Sequence, residues 1–193
     1  MTGEQRTLAL VRTFSDSPAP APAPDIHLGV LRAAGEYGLI ACEPVRAGER
    51  LFVIHGEPTG MPSQHSMQVG KNVHLDLPDG TGLERIMDHY FWWFLNHSCA
   101  PNTRIEDRQV IAIADIRAGE EITFHYNTTE FAIAEPFDCW CGSTNCVGRV
   151  GGFSSATAAE REGLRPWLAK HLLTADTPPV GDVEEPAVES GGR

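Results

Sequence analysis

The chain has 193 residues, 41% of them hydrophobic, with 19 glycines and 14 prolines, which suits one domain with a real core and many turns. Its formal net charge of −11, from 26 acidic against 15 basic residues, argues against a broad basic face for nucleic acid. No apolar run approaches the ~20 residues of a membrane span, and Met1–Phe14 lacks the basic and apolar regions of a secretory leader. The expectation is a cytoplasmic protein with reduced cysteines and neither a membrane nor a nucleic-acid partner. The Ala-, Gly- and Pro-rich composition points to a high-GC bacterial source, and nothing in it sets the oligomeric state.

Residues 1–25 read as a leader: a short strand within Thr7–Phe14, then a Pro-Ala alternation from Pro18 to Pro24 that favours an extended polyproline II linker. From Ile26 the pattern changes to short alternating runs with turn residues every eight to twelve positions, the sign of a mainly β domain built from small sheets. Strands are expected at Ile26–Leu31, Leu39–Cys42 and Leu51–Ile54, then at His65–Val69 and Val73–Leu77 within a loop-rich stretch. Cys42 reads as a buried strand thiol without chemistry. Leu83–Leu95 is the most helical stretch of this half, with Leu83, Ile86, Met87, Tyr90 and Phe91 near a 3.6-residue period.

The aromatic run Tyr90–Phe94 then gives way to the polar loop Asn96-His97-Ser98-Cys99-Ala100-Pro101-Asn102. Arg104–Ala114 reads as one alternating strand, and Glu121–Tyr126 as another after a Gly119-Glu120 turn. Beyond Cys146, Thr157–Leu173 reads as a helix interrupted at Gly163, or as two short ones, with Pro166 at a first helical position and Leu164, Trp167, Leu168, Leu172 and Leu173 packing back on the domain. Thr174–Arg193 has too little apolar content to fold and reads as a disordered tail.

Cys139-x-Cys141-x4-Cys146 places three thiols within eight residues, with Gly142 and Asn145 able to bend the chain around an ion. A structural zinc takes four ligands, with sulfurs at about 2.3 Å. The fourth ligand is open among Cys99, Cys42, His97 and His125. Free thiols on a loop, or a redox Cys-x-Cys pair, are the competing readings.

Three motifs in order, Asn96-His97-Ser98-Cys99 with Pro101-Asn102, Gly119–Asn127, and Cys-x-Cys-x4-Cys followed by Gly148, resemble the SET domain, the family of S-adenosylmethionine-dependent protein-lysine methyltransferases. The resemblance covers about residues 27–153, and the cysteine cluster is similar to the family's post-SET segment. It implies small curved sheets with a C-terminal pseudoknot, followed here by a short helical segment. The implied division is a SET domain at 26–135, a post-SET zinc segment at 136–153, a helical segment at 154–173 and a tail at 174–193.

The resemblance also implies roles. Tyr126 matches the catalytic tyrosine, and Asn96 and His97 match residues that hold S-adenosylmethionine. Gly38 and Leu39 match the end of the cofactor turn, and Trp140 is placed either over the adenine or in simple packing. Cys99, Cys139, Cys141 and Cys146 match the zinc ligands. Three positions depart from the family pattern: Glu36 stands for the first glycine of the turn, Trp93 for a frequent arginine, and His125 for the usual aspartate before the tyrosine. His125 in particular leaves the methyl acceptor open between a basic protein or peptide and a small amine. A non-catalytic zinc-stapled binding module is the third reading.

Overall fold

The computed structural model describes residues 26–33 and 35–173. The leader, its linker and the tail lie outside the described residues. The first hairpin joins β1 (Leu28–Ala33) to β2 (Glu36–Ala41), with Leu28 opposite Ala41 and Val30 opposite Leu39. After β3 (Arg50–Val53), the segments β4 (Glu57–Thr59), β5 (Met67–Gly70) and β6 (Val73–Asp76) form a three-stranded antiparallel sheet in the order β4-β6-β5. β4 carries Pro58 and reads poorly as a strand; its place at a sheet edge is where proline is tolerated.

Helix α1 (Leu83–His89) follows, and the expected helix ends there, because Phe91–Phe94 tightens into a 3₁₀ turn. That turn buries Trp92 and Phe94 and leaves Phe91 and Trp93 half-buried. β7 is only Asn96–His97. The expected single strand Arg104–Ala114 is instead a hairpin of β8 (Thr103–Glu106) and β9 (Gln109–Ala112), which joins β3 in a sheet of order β3-β9-β8. The turn residues Asp107 and Arg108 both take positive φ, 48° and 65°, as a two-residue hairpin turn requires, although neither is glycine.

The strand expected over Glu121–Tyr126 shrinks to β10 (Thr123–Phe124), followed by a 3₁₀ turn at Tyr126–Thr128. β10 lies parallel to β7, with Thr123 opposite Asn96 and Phe124 opposite His97. On its other side the same segment bonds to β2: Ala41 N–H donates to Glu120 O at 3.0 Å and Ile122 N–H to Leu39 O at 2.8 Å. Residues 119–124 are thus inserted between β2 and β7, two segments distant in sequence, which is the knot-like crossing expected of the fold. Asn102 clamps it, accepting from Thr123 N–H at 2.9 Å and donating to Glu121 O at 2.7 Å.

The main core runs through this crossing, with Leu39, Leu51, Ile54, Leu75 and Ile122 fully buried. A second, smaller core of Cys99, Cys139 and Val150 packs against Tyr126. It is closed by the ribbon β11 (Phe137–Asp138) with β12 (Arg149–Val150). Gly152, at φ 96°, lets the chain pass against Ala132, whose Cα would lie 2.7 Å from an added Cβ.

Helix α2 (Ala158–Leu164) starts at a Thr157/Glu160 capping box, runs through Gly163 unbroken, and ends at a 3₁₀ turn containing Pro166. α3 (Lys170–Leu173) follows. Leu164 and Leu172 are buried as expected, Trp167 and Leu168 are half-buried, and Leu173 is exposed. Cys42 is not a buried strand thiol: it sits just past the end of β2 and is half-buried.

Candidate active site

The parallel pair β7/β10 sets Asn96 and His97 beside the segment leading to Tyr126, and a cleft of about 570 Å³ opens along this seam. Its walls include Tyr37, Trp92, Trp93, Asn96, His97 and Tyr126, with Ser63–Met67 and Ala134–Phe137 across from them. Among the described residues three glutamates line it, Glu36, Glu130 and Glu135, and no lysine or arginine does.

The Asn96 amide donates to Tyr37 O and to Glu121 Oε1, each at 2.8 Å. Both its N–H bonds are therefore committed, and what it offers a ligand is the carbonyl oxygen, an acceptor suited to an ammonium. Gly38 sits against this pair. A Cβ there would lie 2.6 Å from Glu121 Oε1 and 3.4 Å from Asn96 Nδ2. Leu39 is fully buried in the core and does not line the cleft.

The Tyr126 hydroxyl donates to Leu95 O at 2.9 Å. Burial, with the charges of Glu130 and Glu121, raises its pKa well above the usual phenol value, so it stays a neutral phenol. His97 is pinned from both ends of its ring: Nδ1 accepts from the Tyr126 N–H at 3.2 Å, and Nε2 lies 3.2 Å from Cys99 Sγ. Burial and the neighbouring His125 lower its pKa to about 3. A neutral ring that accepts at Nδ1 carries its proton on Nε2, so His97 donates to the Cys99 sulfur.

That tautomer decides between two metal groupings. The ligand atoms of Cys99, Cys139, Cys141 and Cys146 all lie within 4.8 Å of one another, and so do those of His97, Cys99 and His125. In the second set both Nδ1 atoms accept backbone N–H bonds, from Tyr126 and from Asn127. Each Nε2 then holds the proton and has no lone pair for a metal. The four sulfurs carry no such conflict. Cys99 and Cys139 Sγ are 3.8 Å apart, the edge that a tetrahedron with bonds of about 2.3 Å has. Of the candidate fourth ligands, Cys99 joins the cage and Cys42 does not. Burial raises the thiol pKa of Cys99 and Cys139, whereas the Ser143 hydrogen bond draws that of Cys141 down to about 6.

The remaining candidates fall outside the cleft. Trp140 is 89% exposed, so simple packing does not hold it. His125 is 2% exposed; it caps the 3₁₀ turn through Asn127 N–H and stacks edge-on against His97 at 4.6 Å. It does not line the cleft, contrary to what its position beside Tyr126 suggested. Trp93 does line it, 4.6 Å from the His65 ring. Sequence reasoning missed Tyr37, His65, Glu121 and Glu130. For Glu130 the one available signal is that it is the only formally charged residue in Phe124–Phe131.

A β domain in which two distant segments cross beside a cleft, with four cysteine sulfurs gathered where the β11/β12 ribbon meets the loop after β7, defines a narrow class. Residues 36–127 match the SET domain. A histone-lysine N-methyltransferase of Yarrowia lipolytica, H3 lysine-36 specific, is 32% identical over 148 residues, covering 65% of this chain and 18% of that protein. The methyltransferase flvH of Aspergillus flavus is 34% identical over 83 residues, covering 41% of this chain and 46% of that protein. The structure of KRYPTONITE in complex with mCHH DNA, an H3(1-15) peptide and SAH shares the fold, with a TM-score of 0.51 and 22% identity over 65% of this chain and 30% of that one. This chain thus matches less than half the length of each of these proteins. The two sequence relatives are fungal and give no support to the bacterial source that composition suggested.

Proposed function

We propose that this SET domain transfers a methyl group from S-adenosylmethionine to an amine, the side chain of a lysine in a basic protein or peptide. The observation that carries the reading is the convergence of Asn96, His97 and Tyr126 on one cleft lined, among the described residues, by three glutamates and no lysine or arginine. The names of the relatives support it, as do the H3 peptide and SAH bound to the structural neighbour KRYPTONITE.

In this reading Asn96 accepts from the cofactor's amino group, while Tyr37, Gly38 and the backbone around His97 shape its seat. The cofactor supplies a sulfonium methyl, and the reaction is an in-line displacement in which alignment provides much of the rate. The neutral Tyr126 phenol, fixed by Leu95 O, and the rings of Trp92 and Trp93 hold the target nitrogen in line and keep bulk water out. A target lysine begins with a pKa of about 10.4, and an aromatic channel beside a positive sulfonium lowers it. Cys99, Cys139, Cys141 and Cys146 are assigned to a structural zinc, with reduced thiols as the cytoplasm provides.

A second reading keeps the cofactor and makes the acceptor a small amine. The Aspergillus flavus methyltransferase, whose name specifies no protein substrate, leaves room for it. Labelled S-adenosylmethionine with a basic protein extract separates the two: label retained with protein supports the first reading, and label passing a small-molecule filter supports the second. Tyr126→Phe should abolish either. Equal labelling by wild type and Tyr126→Phe would remove the catalytic assignment.

A further inference from the structure

The reaction must dispose of a proton, and most groups of the cleft cannot take it. Tyr126 is held as a phenol with its own proton committed to Leu95 O. Both nitrogens of His97 are occupied, by Tyr126 N–H and by Cys99 Sγ. Glu130 remains. It lies in the cleft wall four residues after Tyr126, yet is only 9% exposed.

Its two oxygens are treated differently. Oε1 accepts from Gln68 N–H at 2.7 Å and faces the Thr129 hydroxyl at 3.3 Å. Among the described residues Oε2 takes no hydrogen bond, and His74 Nε2 stands 3.7 Å from it, beyond hydrogen-bond reach. His74 is itself buried, and its Nδ1 lacks a hydrogen-bond partner among the described residues. A buried imidazole nitrogen left without a partner, behind a carboxyl oxygen that faces the cleft, is an expensive arrangement for a purely structural site.

We propose that Glu130 Oε2 receives the target's ammonium in this cleft and takes its proton before methyl transfer, with His74 behind it as the polar backstop. The step rests on the methyltransferase reading and balances. The N–H bond of the ammonium breaks toward Oε2, giving a neutral amine and a neutral carboxylic acid. The nitrogen lone pair then forms the N–C bond to the methyl, and the C–S bond breaks with its electron pair left on sulfur. The proton returns from Glu130 to water through the open side of the cleft. Burial pushes the Glu130 carboxyl up to about 7, a value matched to taking and releasing a proton near neutrality. The groups facing it are Gln68 and His74 from the small sheet, Thr129 and Tyr126 from its own segment, and, behind His74, His171 of α3.

The test loads the full chain with S-adenosylhomocysteine and titrates n-butylammonium, the end of a lysine side chain, at two pH values on either side of the Glu130 transition. Wild type should bind this probe about tenfold more tightly on the alkaline side, the worth of one ion-assisted hydrogen bond. Glu130→Gln keeps an oxygen for Gln68 N–H, so the fold is retained. It should bind the probe about tenfold more weakly on that side and without pH dependence, at unchanged S-adenosylhomocysteine affinity. Glu84→Gln, an equal charge change on exposed α1, should behave as wild type. Equal probe affinity in Glu130→Gln and wild type, or a wild-type affinity flat in pH, overturns the proposal. Absence of S-adenosylhomocysteine binding would instead remove the methyltransferase reading and the proton-transfer role with it. Titration of n-butylammonium alone would then still decide whether Glu130 receives the cation.

Discussion

His97 Nε2 stands 3.2 Å from Cys99 Sγ while Nδ1 of the same ring accepts the Tyr126 N–H, so one imidazole connects the cysteine cage to the backbone of the tyrosine in the cleft. The donor to the Cys99 sulfur and the acceptor for Tyr126 are thus one rigid group. His97→Ala should weaken zinc binding by about tenfold or more, as loss of such outer partners does elsewhere. It should also lower cofactor affinity, because Tyr126 and β7 lose a shared anchor. Competition with a chromogenic chelator reads the first effect and calorimetry the second. A variant that loses cofactor affinity but holds zinc as wild type does would show that the imidazole serves the cleft alone.

The cage itself carries the next expectation. Cys99 lies on the loop after β7, and Asn145 Nδ2 donates to Cys99 O at 2.7 Å, so the ribbon and the cleft share one attachment point. Stripping the metal should release residues 136–150, lower thermal stability and weaken S-adenosylhomocysteine binding at least about tenfold, since metal binding here is also folding energy. One zinc per chain by elemental analysis is the accompanying measurement. Cofactor affinity unchanged after chelation would mean that the two regions are not coupled.

Gly38 tests the support behind Asn96. A methyl at this position meets Glu121 Oε1 at 2.6 Å, the same oxygen that accepts from Asn96. The displaced group is the end of a flexible side chain, so Gly38→Ala should fold. Asn96 then loses one of its two anchors, and the expected result is a fall of about tenfold in cofactor affinity, the worth of one hydrogen bond to a charged group. Unaltered affinity would show that Tyr37 O alone suffices to orient Asn96.

The parts of this site that could be read from the sequence are those in which residue identity is itself the chemistry. Three thiols in one cluster and a fourth beside an Asn-His pair announce a cage and its neighbour whatever the fold does. The Thr157/Glu160 capping box was equally readable as a helix start. The hairpin at Thr103–Ala112 was not, because Asp107 and Arg108 take positive φ without the glycine or asparagine that usually marks such a turn. His125 illustrates the limit at the site. Its position beside Tyr126 suggested the channel, but the 3₁₀ turn after β10 rotates it inward, where it caps Asn127 N–H. Glu130 was illegible for a related reason. Nothing local announces that a lone glutamate will be buried, since its partners Gln68 and His74 lie more than fifty residues away.

Glu130 also gives the protein a pH dependence whose sign is fixed. Its carboxyl titrates near 4.5 when unburied and at about 7 in the fold, because burial penalises the charged form. Between those values the folded state holds a proton that the unfolded state has released, so this group lowers stability as pH rises toward about 7, and the penalty is complete above that. His74 and His171, whose pKa values burial lowers, act oppositely: the stability they contribute above about 6.5 is lost as pH falls. Comparing urea midpoints of wild type and Glu130→Gln across this range cancels the histidines to first order. The difference should favour Glu130→Gln increasingly with rising pH and level off once the carboxyl is fully ionised. A difference that stays constant with pH would mean that Glu130 is ionised throughout, and the proton-accepting role would lose its thermodynamic basis.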